Sequence, residues 1–290
     1  MRKRFSIVLA IIALCIAFSA NAQLLWKISG NGLTKPSYLF GTHHLIEKEQ
    51  IKGFNKILAI SKQADAVVGE MDMSDPNMKM KMVQGGMMKD TTINDLLTSD
   101  DYKLADYEFK QLMNVGLAQL EKMKPMMLDM MYSVMMYSKA MGLTKQPEGV
   151  DILFQQNAKA NNKKVIGLET IEEEMNVLFN DISLKRQAAI LMKDIKEKQQ
   201  GIEQTKALNA AYLTGDMDKT EALNKKDDTM TPAEEKLMID DRNTHWMKEL
   251  PTLMNTQSCF IDVGFMHLIG KFGLIAQLKQ AGYTVEPIVL

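Results

Sequence analysis

One pattern occurs twice, once near each end of the chain: a short apolar run, Gly-x-x-His, a helical stretch of about three turns, then a second short apolar run. In the first copy Ser37 to Phe40 leads into Gly41-Thr42-His43-His44. Phe54, Ile57, Leu58 and Ile60 then recur at helical spacing, and Ala66-Val67-Val68-Gly69-Glu70 closes the unit. In the second, Ser258 to Val263 leads into Gly264-Phe265-Met266-His267, with Phe272, Leu274, Ile275 and Leu278 at helical spacing before Tyr283 to Leu290. Strand, helix, strand is a crossover, and two crossovers demand a sheet that helices cover. The pattern therefore predicts an α/β fold whose mixed sheet core is built from two strand–GxxH–helix–strand repeats. A glycine at a strand's end lets the backbone turn without a Cβ clash, and ligands of open α/β sheets gather beyond the carboxyl ends of strands. If the two strands are neighbours, His44 and His267 reach one crevice.

The remaining sequence fills in around that core. Leu24 to Ser29 and Ser37 to Phe40, separated by Gly30-Asn31-Gly32 and Pro36, predict a hairpin. From about 72 to 162 a large helical insert is expected: a polar, methionine-rich excursion to about Ser99, then two helices divided at Pro125 between Asp101 and Met141. Lys164-Val165-Ile166-Gly167-Leu168-Glu169 is another strand ending in a carboxylate, and long amphipathic helices are expected over Ile171 to Gln200 and Ile202 to Leu213. Thr231-Pro232-Ala233-Glu234 starts a helix running through Arg242 toward Leu250.

The apolar run Phe5 to Phe18 follows Arg2-Lys3-Arg4 and precedes Ala20-Asn21-Ala22, so residues 1–22 are expected to be a signal peptide and 23–290 a single domain. The expected location is exported, periplasmic or secreted, with no stable membrane anchor after cleavage. Removing 22 of 290 residues leaves 268, and losing three basic residues and no acidic one takes the formal charge from -1 to -4. That balance offers no basic excess for a phosphate backbone, so no nucleic-acid partner is expected. Of the two cysteines only Cys259 survives cleavage, which excludes a disulfide within the mature chain. No sequence feature specifies an oligomeric state.

The mature chain has four histidines, and two of them, His44 and His267, occupy equivalent places in the repeat. Imidazoles and carboxylates are the ordinary ligands of catalytic divalent metals, and the carboxylates on offer are Glu70 and Glu169, each closing a short strand. A competing reading starts from 25 methionines, seven of them between Met71 and Met88 and eight between Met123 and Met141. Thioethers suit cuprous ions, which makes a Met-rich copper-binding protein an alternative. Lysines alternate with Met78, Met80 and Met82, however, and the second cluster has core-like helical spacing.

The sequence also resembles the TraB/GumN family, which includes the pheromone-shutdown proteins of conjugative plasmids and the animal Tiki proteases. The residues that carry the likeness are Leu25-Trp26-Lys27-Ile28, Tyr38 to His44, Val67-Val68-Gly69-Glu70, Lys124-Pro125, Gly149-Val150-Asp151, Gly167-Leu168-Glu169-Thr170, Arg242-Asn243 with Trp246, and Val263 to Gly270. In two places the chain departs from the family pattern: Asp241 stands before the arginine where glutamate is common, and His43 stands where an apolar residue is usual.

The resemblance implies a metal-dependent hydrolase, a peptidase acting on a peptide or protein substrate outside the cytoplasm, using a divalent metal such as manganese or cobalt, with zinc compatible. Carried over residue by residue, His44, Glu70 and His267 are the expected metal ligands. Glu169 is expected as base or as a partner that supports a metal ligand, and Arg242 as oxyanion or substrate clamp; the sequence leaves open whether Glu70 and Glu169 exchange roles. The same likeness implies a non-enzymatic alternative, a protein that binds and sequesters a peptide or pheromone.

Overall fold

The structure is a computed structural model and describes residues 23–73, 75–143, 145 and 148–290. The expected signal peptide lies outside these residues. Six strands, β1 (Leu25–Ser29), β2 (Ser37–Thr42), β3 (Ala66–Gly69), β4 (Lys164–Gly167), β5 (Cys259–Gly264) and β6 (Thr284–Pro287), form one sheet in the order β4-β3-β5-β2-β1-β6. The β1–β2 hairpin is antiparallel with Leu25 opposite Phe40, while β2–β5, β5–β3 and β3–β4 are parallel. Only β1 runs against the rest, so the sheet is mixed, as the sequence predicts. Every residue of β3 is buried, and so are the first five of β5, because parallel strands covered on both faces read as unbroken apolar runs.

Helices α1 (Phe54–Ser61), α2 (Met78–Gly85), α3 (Ile93–Leu96), α4 (Ser99–Met113), α5 (Pro125–Ala140) and α6 (Val150–Ala160) precede β4. Pro125 opens α5, where its missing N–H costs nothing. Phe154 of α6 packs on the sheet, with its ring centroid 4.8 Å from Phe260 and 5.5 Å from Phe40. Between β4 and β5 lie α7 (Ile171–Phe179), α8 (Leu184–Lys196), α9 (Lys198–Thr214), α10 (Met217–Asn224), α11 (Pro232–Glu235), α12 (Asp241–Trp246) and α13 (Leu250–Thr256); α14 (Leu274–Gln280) precedes β6. Among the described residues no helix is long and apolar enough to cross a membrane.

Two helical expectations need correction. The stretch Ile171 to Gln200 is not continuous: α7 ends at Phe179, and Ser183 caps a new helix by accepting from the Arg186 amide. The helix from Thr231 does start with a capping box, Thr231 and Glu234 each receiving the other's backbone N–H, but Lys236–Asp240 forms a π-turn before α12. Such turns insert an extra residue into the helical register and frequently mark functional sites.

Crossovers from β2 and β5 leave in opposite directions along the sheet, the first to β3 and the second to β6. Their neighbouring carboxyl ends form the topological switch point where α/β sheets bind ligands.

Candidate functional site

Four adjacent parallel strands, β4, β3, β5 and β2, present their carboxyl ends side by side, and each carries a glycine in its last two residues: Gly167, Gly69, Gly264 and Gly41. Just beyond them come Glu169, Glu70, His267 and His44. Close approach explains the glycines: a Cβ on Gly41 would lie 2.5 Å from the Phe265 ring, and one on Gly264 would lie 3.3 Å from Glu70 Oε1. The β3–β4 ladder continues past the strands, where the Glu169 amide donates to the Glu70 carbonyl at 3.0 Å, so the two glutamates stand abreast.

The π-turn delivers Arg242, Asn243 and Trp246, the buried face of α12, onto these carboxylates. Arg242 donates from Nη2 to Glu70 Oε2 at 2.7 Å and grips Glu169 through Nε at 3.0 and 3.2 Å and through Nη2. It is not the surface partner of Asp240 or Asp241; Asp241 pairs with Lys236. Trp246 adds an indole N–H to Glu169 Oε2 at 3.4 Å and lies under the guanidinium, 5.0 Å from ring centroid to carbon. Glu174, one turn into α7, is a third carboxylate: ligand atoms of Glu70, Glu169 and Glu174 lie within 4.8 Å of one another. Glu174 Oε2 is buried without a hydrogen bond, 3.6 Å from Arg242 Nη2.

Three carboxyls around one guanidinium leave an excess of negative charge, and the pKa values divide to relieve it. Burial pushes Glu174 up to about 8, aided by the charges of Glu70 and Glu169 and opposed by Arg242. Glu70 goes the other way, to about 2: burial opposes its ionisation but is outweighed by His267, Arg242 and the Gly264 amide, which donates to Oε1 at 2.7 Å. Burial lowers His267 to about 4, so the ring is neutral near pH 7 and Arg242 with the Gly264 amide carries Glu70's ionisation there.

Asn243 fixes the tautomer of that ring. Its Nδ2 donates to the carbonyls of His267 and Phe272 at 3.1 and 2.9 Å, which turns Oδ1 toward His267 Nδ1 at 2.8 Å. Nδ1 therefore carries the proton, and the Nε2 lone pair faces Arg242 Nη1 at 3.4 Å and Glu70 Oε1 at 3.9 Å.

The structure thus brings Glu70, Glu169, Arg242 and His267 together. His44 stands at the rim, with 71% of its side chain exposed and Nδ1 3.6 Å from Asp151 Oδ2, and its charge adds to those that hold Glu70 down. His43 has a different task, accepting the Leu45 amide at 3.1 Å and packing on Tyr212. Sequence reasoning missed Glu174, whose signal was the acidic run Glu172-Glu173-Glu174 just after a capping threonine. It also missed Asp262 of β5, which is fully buried with neither carboxyl oxygen hydrogen-bonded among the described residues. Burial, with Asp151 and Glu70 adding to it, pushes Asp262 well up. Met71, Met78, Met126 and Met175 pack with Ile171 and Phe179 in an apolar cluster, while Met80, Met87, Met130 and Met141 are exposed.

Because Asn243 is the partner of His267 Nδ1, Asn243→Ala is expected to weaken any divalent-metal binding through Nε2 by about tenfold to a hundredfold. Titration of manganese into wild type and variant checks this, and equal affinities would show that the amide does not set the ring.

No curated protein and no solved structure matches the chain. The profile of the TraB/PrgY/gumN family matches residues 24–287, from the first strand through the last. On that match the chain belongs to the TraB/PrgY/gumN family.

Proposed function

We propose that the protein is a metal-dependent hydrolase, a peptidase acting on peptide or protein substrates outside the cytoplasm. The observation that carries the reading is the convergence of Glu70, Glu169 and Glu174, with a neutral His267 whose Nε2 lies 3.9 Å from Glu70 Oε1. These residues fit a divalent cation. The charge is in excess on the acidic side, Glu174 Oε2 and both oxygens of Asp262 are buried without hydrogen bonds, and the donors are hard oxygens with imidazole rather than thioethers. Glu70 and His267 would hold the ion, with manganese, cobalt or zinc as candidates. His44 is kept as a second imidazole, reached from the rim.

Such an ion, when bound, lowers the pKa of its water and polarises a carbonyl. The chain's own residues do the rest. Arg242 is held by Glu70, Glu169 and the Met238 carbonyl and faces His267, so it would clamp a substrate carbonyl or carboxylate by exchanging one of these partners. Glu174, with a pKa near 8, carries a proton close to neutrality and can pass it to a leaving amine. Glu169 is engaged by Arg242 and Trp246, which favours the supporting role over the free base, the two roles the sequence left open for it.

The sequestering alternative has one observation in its favour: Arg242 already pairs with Glu70 and Glu169, an arrangement that is complete without chemistry. A broad peptide library incubated with metal-stripped protein, then with manganese, cobalt or zinc restored, separates the two. Cleavage that appears only on restoring metal supports the hydrolase; binding without cleavage under every metal supports sequestration.

A further inference from the structure

Tyr212 joins the helical layer to both Gly-x-x-His turns. It lies in the last turn of α9, which Gly215 ends in the left-handed region at φ 64°, with the Gly215 and Asp216 amides donating back to the Tyr212 and Ala211 carbonyls at 2.7 and 3.0 Å. From that closed helix end the side chain reaches the core under the sheet's carboxyl ends, where it is 1% exposed. A buried phenol needs an acceptor, and the Tyr212 hydroxyl donates to the Gly41 carbonyl at 3.0 Å. Burial, with the charge of Asp151 adding to it, pushes the phenol's pKa up, so the group remains a donor.

Gly41 opens the first Gly-x-x-His. Its amide donates to the Leu24 carbonyl at 3.0 Å, so the hairpin holds one side of the residue and Tyr212 holds the other. Fixing the Gly41 carbonyl fixes the plane of the Gly41–Thr42 peptide, from which the chain turns toward His43 and His44. The His43 ring then packs on the phenol, with centroids 5.1 Å apart. The same phenol meets the second turn. Phe265, which follows Gly264, sets its ring edge-on to Tyr212 at 5.2 Å and 85°, a favoured aromatic arrangement. The two turns also touch directly, since a Cβ on Gly41 would lie 2.5 Å from the Phe265 ring. An apolar side chain could fill this volume. What the phenol adds is a directional bond to the main chain of one turn and an edge contact to the other.

We propose that Tyr212 is a positioning residue that sets the geometry of both Gly-x-x-His turns, its hydroxyl through the Gly41 carbonyl and its ring through Phe265, and so holds His44 and His267 in their places. Its effect on metal binding rests on the reading of the site as a metal centre. Its effect on the turns does not.

Amide hydrogen exchange in metal-free protein tests the turns. Tyr212→Phe keeps the ring and removes the bond. The Thr42 amide, part of the fixed peptide, and the Leu45 amide, bonded to His43 Nδ1, should exchange about tenfold faster beyond any change at Val67 and Val68 of β3, as expected when a buried carbonyl loses its donor. Uniform acceleration would mean that Tyr212 contributes stability alone and would overturn the proposal. Phe265→Leu spares the hydroxyl bond and covers the case in which Tyr212→Phe does not fold. It should speed the Ile269 amide, bonded to the Met266 carbonyl in the second turn, beyond the β3 change, and uniform acceleration there would equally overturn the proposal. Calorimetry with manganese reads the consequence. Tyr212→Phe should bind about tenfold to a hundredfold more weakly, the cost typical of loosening a ligand's support. Phe109→Leu, in a separate apolar cluster of the helical layer, should lower the melting temperature and leave the affinity unchanged. Wild-type affinity in Tyr212→Phe would overturn the positioning role. Wild type that binds no manganese would end the metal reading alone, and the exchange comparison would still decide the role of Tyr212.

Discussion

Glu174→Gln is expected to cut peptide hydrolysis by about two to four orders of magnitude while leaving the protein folded, the range typical of removing a general acid or base. The fold should tolerate the change because the wild-type carboxyl, with its pKa near 8, is largely protonated at neutral pH and glutamine is its neutral isostere. The variant should also have a distinctive pH–stability profile in metal-free protein. Glu174's folded pKa lies above its ordinary value of 4.5, so the stabilisation it contributes is fully present below about 4.5 and is lost as pH rises toward 8. Wild type should therefore lose stability relative to the variant across that window. Chemical denaturation at a series of pH values reads this directly, and parallel profiles would mean that Glu174 titrates normally. Glu169→Gln provides the contrast: it loosens the grip on Arg242, so activity and stability should fall together.

Arg242→Ala is expected to have the largest effect on folding. Removing one partner of a buried ion pair strands the other charge, at a cost of about 3 to 5 kcal/mol. Here the guanidinium is 9% exposed and serves Glu70 and Glu169 at once. The denaturant midpoint of chelated protein should drop accordingly, and adding a divalent ion should restore part of the loss by supplying positive charge to the same carboxylates. Arg242→Lys should fall between the two, because an ammonium keeps the charge but cannot span both glutamates with a planar fork. A variant within about 1 kcal/mol of wild type would show that the carboxylates are already neutralised by protons, and the excess-charge argument would fail.

What could be read from the sequence follows from how local each signal is. The β1–β2 hairpin, the glycine-ended strands, the proline opening α5 and the Thr231 capping box each depend on a few neighbouring residues, and each is found in the fold. The repeated Gly-x-x-His raised the adjacency of β2 and β5 only as a condition, and the parallel pairing of those strands meets it. Glu174 was not legible in the same way. Glu172, Glu173 and Glu174 look alike in sequence, yet Glu172 pairs with Lys81 at the surface, Glu173 caps α7, and only Glu174 turns inward. That difference arises from how α7 sits against α12, a tertiary fact. The π-turn at Lys236–Asp240 is equally silent in composition, although it sets the register that aims Arg242. His44 illustrates the opposite limit: its place in the repeat matches that of His267, but His267 is buried while the His44 side chain is exposed beside Asp151.

The central claim, that the carboxyl ends of β3 and β5 hold a divalent ion, is tested most directly by elemental analysis of purified protein, wild type beside His267→Ala, after equilibration with manganese and removal of excess. The account predicts close to one equivalent in wild type and a large loss in the variant, because His267 presents a neutral, fixed Nε2 to Glu70 and its neighbours. Wild type that retains no metal, or a His267→Ala variant that retains as much as wild type, would contradict it.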